Sequence, residues 1–192
     1  SIRFNGAEIA NLEEHKLQKL RGNKIAMIFQ DPMMTLNPVL RIDTQMIEAI
    51  AAHEQLDRQA AWERSRDALG LVGIPSPEER LKAYPHQLSG GMRQRVAIAI
   101  AFLNRPDLII ADESHRSIYN VYGDLFRYFD ALQLGLTATP VEMVSRSTCR
   151  LFGCDFKQPT TNYPLERAVE EGYLVPYQVV KHTTKFLRDG IR

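Results

Sequence analysis

Two acids in succession, Asp112 and Glu113, close the apolar run Leu108-Ile109-Ile110-Ala111. Such a run reads as a parallel strand buried in a sheet, carrying both carboxylates to its C-terminal edge. Open α/β sheets take their ligands at that edge. Ser89, Gly90 and Gly91 form a second candidate group. Ser89 is a good N-cap for a helix running to about residue 103, and the two glycines leave its first turn bare of side chains. A helix start of that kind offers unpaired N–H groups and the positive end of the macrodipole to a phosphate. A plain helix cap after a loop is the simpler alternative. Gln30, His115, Thr137 and Thr139 complete the set. Taken singly, Gln30 is a solvated strand end, His115 a helix-start or core histidine, and the threonines β-formers where a strand stops.

The elements that must position these residues are legible from periodicity. Residues 1–9 alternate around Asn5-Gly6 and predict an antiparallel strand entering a turn. A short charged helix is expected over 12–21. A buried strand over 24–30 is ended by Asp31-Pro32, because proline cannot continue a ladder. Helical spacing recurs over 41–55 and again over 58–71, where Trp62, Ser65, Leu69 and Val72 share a face. A short helix over 78–84 leads to the helix capped by Ser89, and Asn104-Arg105-Pro106 stops that helix before the acidic-ended strand. Beyond it, a helix over 118–129, a buried strand over 132–137, a helix over 165–171 and a strand over 177–183 are expected.

The bulk numbers exclude some classes. The 192 residues are 44% hydrophobic and 24% charged with net charge +1, so no polybasic surface or acidic tail is present. No apolar run approaches the roughly 20 residues that span a bilayer. Cys149 and Cys154 are the only cysteines. Without a second pair or a histidine cluster they read as two reduced thiols rather than a zinc site. Lys181, Lys185, Arg188 and Arg192 read as a solvated basic tail. The chain opens on Ser1, which is expected of a fragment or a processed chain.

The strings FQDPMMTLNP and YPHQLSGGMRQRVAIAIAFLNRPDLIIADE resemble the Q-loop, signature and Walker B motifs of ATP-binding-cassette (ABC) ATPases, especially the dipeptide and oligopeptide importer subunits. The resemblance covers about residues 1–113. It implies that Ser89, Gly90 and Gly91 contact the γ-phosphate of a nucleotide held by a second ATPase subunit. It also implies that Gln30 senses Mg²⁺ and the attacking water, that Asp112 holds Mg²⁺ through water, and that Glu113 polarises the nucleophilic water. Membrane permease subunits, and a place at the cytoplasmic face of the inner membrane, are implied with it. None of the eleven glycines is followed by lysine, so the chain contains no G-x-x-x-x-G-K phosphate cradle. In the family that P-loop lies upstream of the residues SIRFNG.

After Glu113 the likeness changes. DESHRSIYNVYGDLFRYFDALQLGLTATP resembles the DExH box and motif III of superfamily-two helicases, most closely the motor subunit of type I restriction enzymes. LERAVEEGYLVPYQVVKHTTK resembles the segment that leads out of the first RecA-like domain. This likeness implies that His115 couples the nucleotide to Thr137 and Thr139, and that duplex DNA is the partner. The expected fold is α/β: a partial P-loop NTPase (RecA-like) parallel sheet with an inserted ABC-type helical subdomain at about 41–88. The expected division is a partial ABC domain over 1–113 and a partial motor segment over 114–192. Three functions follow: a peptide-importer ATPase inactive alone for want of the P-loop, a DNA-translocating motor, or a non-catalytic chimera of the two. ATP and Mg²⁺ are the cofactors implied in either active case.

Overall fold

The computed structural model describes residues 1–31, 35–112, 128, 130–137, 142–143, 146–147, 149, 152–155 and 158–176. The chain divides into two compact units, Ser1–Gln158 and Pro159–Arg192.

The first unit opens with a hairpin of β1 (Arg3–Phe4) and β2 (Ala7–Glu8), paired antiparallel. Asn5 and Gly6 turn it with φ of 48° and 81°, left-handed values that asparagine and glycine tolerate best. Helix α1 (Glu14–Leu20) follows, and then β3 (Ile25–Ile28). Helices α2 (Ile42–Ala51), α3 (Arg58–Leu71) and α4 (Pro77–Leu81) come next. A 3-10 turn at Pro85–Gln87 leads into α5 (Gly90–Phe102) and β4 (Leu108–Ala111). The unit closes with β5 (Leu132–Gly135) and a second small antiparallel pair, β6 (Glu142–Met143) with β7 (Arg146–Ser147).

Strands β3, β4 and β5 form a parallel sheet with β4 in the centre. Ile25, Leu108 and Leu132 stand in register, as do Ile28, Ala111 and Gly135. The acidic-ended strand is therefore central and parallel, as expected from its apolar run. β5, from beyond the expected boundary at 113, pairs directly with it.

Side chains in register share a face, which makes the sheet two-sided. Ala26, Ile28, Ile109 and Ala111 are buried in the common core with α5 residues Val96, Ile98 and Phe102. Met27, Phe29, Leu132, Leu134 and Leu136 alternate with the buried set and are exposed, Leu132 at 72%. The expectation of buried strands at 24–30 and 132–137 is thereby corrected. One face is covered by α5, no described helix lies on the other, and β5 stands at the sheet's edge. Apolar composition cannot tell such a strand from one covered on both faces.

The helices form for local reasons that the sequence carries. Asp57 caps α3, its carboxylate accepting from the N–H groups of Gln59 and Ala60 at 2.8 and 3.1 Å. At the far end Gly73 adopts φ +70° while the Ile74 N–H donates to Leu69 O at 3.0 Å. Leu69 and Ile74 are both buried, completing a Schellman stop. Ser65, fully buried, donates its hydroxyl to Ala61 O at 2.7 Å, so no polar group is orphaned on that face. Helix α5 is apolar nearly all round from Val96 to Phe102, which suits a helix enclosed between α2, α3 and the sheet. Asn104 stops it and ties its end in place, donating Nδ2 to Gly22 O at 2.9 Å and Ala49 O at 3.1 Å.

The expected helix over 118–129 lies outside the described residues apart from Tyr128, which is helical, and the expected strand over 177–183 lies wholly outside them. In the second unit, α6 (Leu165–Glu170) occupies the span expected to be helical. Tyr163 donates its hydroxyl to Glu171 Oε2 at 2.6 Å, and Arg167 donates Nε to Glu171 Oε1 at 2.7 Å. The Arg167 guanidinium also lies 5.4 Å from the Tyr163 ring centroid.

Candidate functional site

The C-terminal edge of the sheet gathers three of the expected residues. Asp112 follows β4 directly, and its N–H donates to Ile28 O at 2.9 Å, continuing the ladder between β3 and β4. Gln30 stands two residues beyond β3 and is exposed. Leu136 N–H donates to Ala111 O at 2.8 Å, so Thr137 emerges from β5 at the same edge, half-buried. The sheet thus delivers an amide, a carboxylate and a hydroxyl to one end. Glu113, His115 and Thr139 lie outside the described residues.

Ser89, Gly90 and Gly91 form a separate group at the start of α5. Asn104 donates to Gly22 O and the Asp107 N–H to Lys24 O, so the C-terminal end of α5 lies by the start of β3, away from the edge that holds Asp112. Ser89 takes an extended N-cap conformation (φ −63°, ψ 160°), and its Oγ accepts from the Met92 N–H at 3.3 Å. Gly90 and Gly91 are exposed. A Cβ built on Gly91 meets no atom within 4 Å, and one on Gly90 meets only Arg93 Nη2 at 3.9 Å. An anion can therefore reach the first-turn amides without a side chain in the way.

Arg93 had no role assigned from spacing alone. Its Nη1 donates to Leu88 O at 2.7 Å and Pro85 O at 3.5 Å. A signal did exist: an arginine four residues after the N-cap places a cation at the positive end of a helix, against the macrodipole.

The residues present fit only part of a nucleotide. Asp112 and Gln30 are oxygen donors at adjacent strand ends, of the kind Mg²⁺ accepts. No group of three or more His, Cys, Asp or Glu that could hold a metal occurs among the described residues. The first turn at Gly90 and Gly91 is open enough for one phosphate, and the 192 residues contain no G-x-x-x-x-G-K string. A cleft of about 750 Å³ lies between α3, the end of α5 and residues 105–107, with Glu63, Asp67 and Arg105 among its lining. Its lining includes Pro106 and Asp107, just before β4, and none of Gln30, Ser89, Gly90, Gly91 or Asp112.

Comparisons with known proteins agree with the motifs. A family profile described as ABC transporter matches residues 1–116. A second, described as type III restriction enzyme, res subunit, matches residues 91–142 and overlaps the first. The chain is 52% identical over 113 residues to the oligopeptide transport ATP-binding protein OppD of Escherichia coli, covering 59% of this chain and 34% of that protein. It is 48% identical over 112 residues to the dipeptide transport ATP-binding protein DppD of Bacillus subtilis, covering 58% of this chain and 33% of the relative. The chain thus spans about a third of the length of the curated relatives it matches. Among solved structures, the dimeric ATP-binding cassette MJ0796 bound to ADP and Pi superposes with a TM-score of 0.60 at 22% identity, covering 71% of this chain and 61% of that one. CbiO1 of Clostridium perfringens superposes at 0.55 and 21% identity, covering 74% and 57%. At those identities the likeness concerns the fold, that of a P-loop NTPase cassette. With the profile spanning most of its length and the signature helix placed as described, the chain belongs to the ABC transporter family.

Proposed function

We propose that this chain is the signature-bearing part of the ATP-binding subunit of a peptide importer, and that it acts on a nucleotide held by a second ATPase subunit. The observation that carries this reading is the bare, capped first turn of α5, with Gly90 and Gly91 open to an incoming phosphate. Identity to peptide-importer ATPases over the same residues supports it. In this reading the Gly90 and Gly91 N–H groups and Ser89 donate to γ-phosphate oxygens, where charge develops during transfer. Gln30 and Asp112 would hold Mg²⁺, and Glu113 would orient water; ATP with Mg²⁺ supplies the phosphoryl chemistry. In this reading the other subunit binds the α- and β-phosphates of the nucleotide that Ser89, Gly90 and Gly91 cap, and these 192 residues alone hydrolyse no ATP.

The helical subdomain at 41–88 belongs to the importer part, residues 1–113, and residues 114–192 are the motor-like part. Permease subunits at the cytoplasmic face of the inner membrane are the partners in this reading; among the described residues no helix is long and apolar enough to cross a membrane. Mixing the chain with an intact importer ATPase should raise turnover per intact subunit. Unchanged turnover at saturating chain contradicts the reading.

A second reading is a DNA-translocating motor, with His115 coupled to Thr137 and Thr139. The profile match over 91–142 and the pairing of β5 with β4 favour it. It requires an affinity for duplex DNA that falls steeply with salt. Neither stimulated turnover nor DNA binding would leave the non-catalytic chimera.

A further inference from the structure

Residues 84–89 carry no helix or strand of length, yet three side chains close the loop. Gln87 Oε1 accepts from the Tyr84 N–H at 2.8 Å, Leu88 is buried at 3% exposure, and Arg93 donates Nη1 to both Leu88 O and Pro85 O. Holding Leu88 O fixes the plane of the peptide bond between Leu88 and Ser89. That plane carries the Ser89 N–H and anchors the N-cap residue, whose extended φ −63° and ψ 160° then direct the Gly90 amide. Arg93 is also placed against the helix dipole, an unfavourable position unless something offsets it. Its Nη2 lies 3.9 Å from where a Gly90 Cβ would stand, so the guanidinium flanks the glycine pair without covering it.

We propose that Arg93 is the positioning residue of the phosphate-capping loop, pinning the Leu88 and Pro85 carbonyls so that Ser89, Gly90 and Gly91 are preset for an anion. The inference rests on the reading that these three residues cap a partner's phosphate. Preset geometry matters because donors must lie where charge develops before the reaction begins. Lysine keeps the charge but lacks the planar guanidinium whose Nη1 donates to both carbonyls, so the two effects separate.

The test has two arms, each with wild type, Arg93→Met and Arg93→Lys. In the isolated chain, amide hydrogen exchange at Met92 should rise about tenfold in Arg93→Met and recover in part in Arg93→Lys, while α2 and α3 stay unchanged. In a mixture with an intact importer ATPase, the stimulated kcat should fall about tenfold in Arg93→Met with KM for Mg-ATP unchanged, because the nucleotide sits in the other subunit. Unchanged exchange at Met92, or a rise spread evenly over all helices, overturns the positioning role. A local rise with no stimulation by wild type supports the role of Arg93 and overturns the phosphate-capping reading instead.

Discussion

Ser89 caps the Met92 N–H with its hydroxyl, and in the proposed reading the same hydroxyl meets a phosphate. Ser89→Ala should therefore lower stability by about 1 kcal/mol, as loss of an N-cap does. It should also abolish stimulation of a partner ATPase, measured beside a urea midpoint. Gly135 answers to a different constraint. A Cβ there would stand 2.5–2.8 Å from atoms of the Phe152 ring, which packs against the core. Gly135→Val should destabilise by about 1–3 kcal/mol through overpacking, and Phe152→Ala in the same chain should recover part of the loss. The strand-end position of Asp112 and the cap at Ser89 are legible in sequence because residue type and spacing suffice for both. Arg93 was not, because its partners are backbone carbonyls five and eight residues away that no side-chain pattern records.

Each helix has its own dependence on burial or on charge. Leu69 is fully buried at the Schellman end of α3, so Leu69→Ala should cost about 2–5 kcal/mol by urea denaturation, more than any change on the helix's solvent face. Around α6 the Tyr163 hydroxyl and then the Arg167 guanidinium hold the Glu171 carboxyl below its usual range, and bonding to Glu171 raises the Tyr163 phenol above its ordinary value. A lowered carboxyl stabilises the folded state above its unfolded value and loses that contribution as pH falls through the folded value. The raised phenol behaves oppositely, its contribution ending as pH rises through the folded value. Protection of α6 amides should thus be flat between about pH 5 and 9 and fall on both sides. In Tyr163→Phe the Glu171 titration followed by NMR should move upward, and an unmoved titration contradicts the pairing. The helices at 42–51 and 58–71 were readable because 3.6-residue periodicity marks both, and at 58–71 an Asp cap and a glycine stop agree with it. The open face of β3 and β5 was not, because alternation is blurred when both faces of a strand are apolar.

At the scale of the molecule, one central strand joins two likenesses. The ABC profile ends at 116, the restriction-enzyme profile ends at 142, and β4 at 108–111 lies inside both matches. Both families place an apolar strand ending in Asp-Glu at that position, so β4 can pair with β3 on one side and β5 on the other without violating local pattern. What a sequence pattern cannot convey is which helices cover the second face of such a sheet, since that depends on tertiary neighbours rather than on the strand itself. In the proposed reading the helix start at Ser89 faces a phosphate whose inner neighbours another subunit holds. The direct test is an isothermal titration of the isolated chain with Mg-ATP. The expected result is no saturable binding, at concentrations where an intact importer ATPase saturates. Saturable binding that is lost in Asp112→Ala or Glu113→Gln would contradict the division of the site between two subunits.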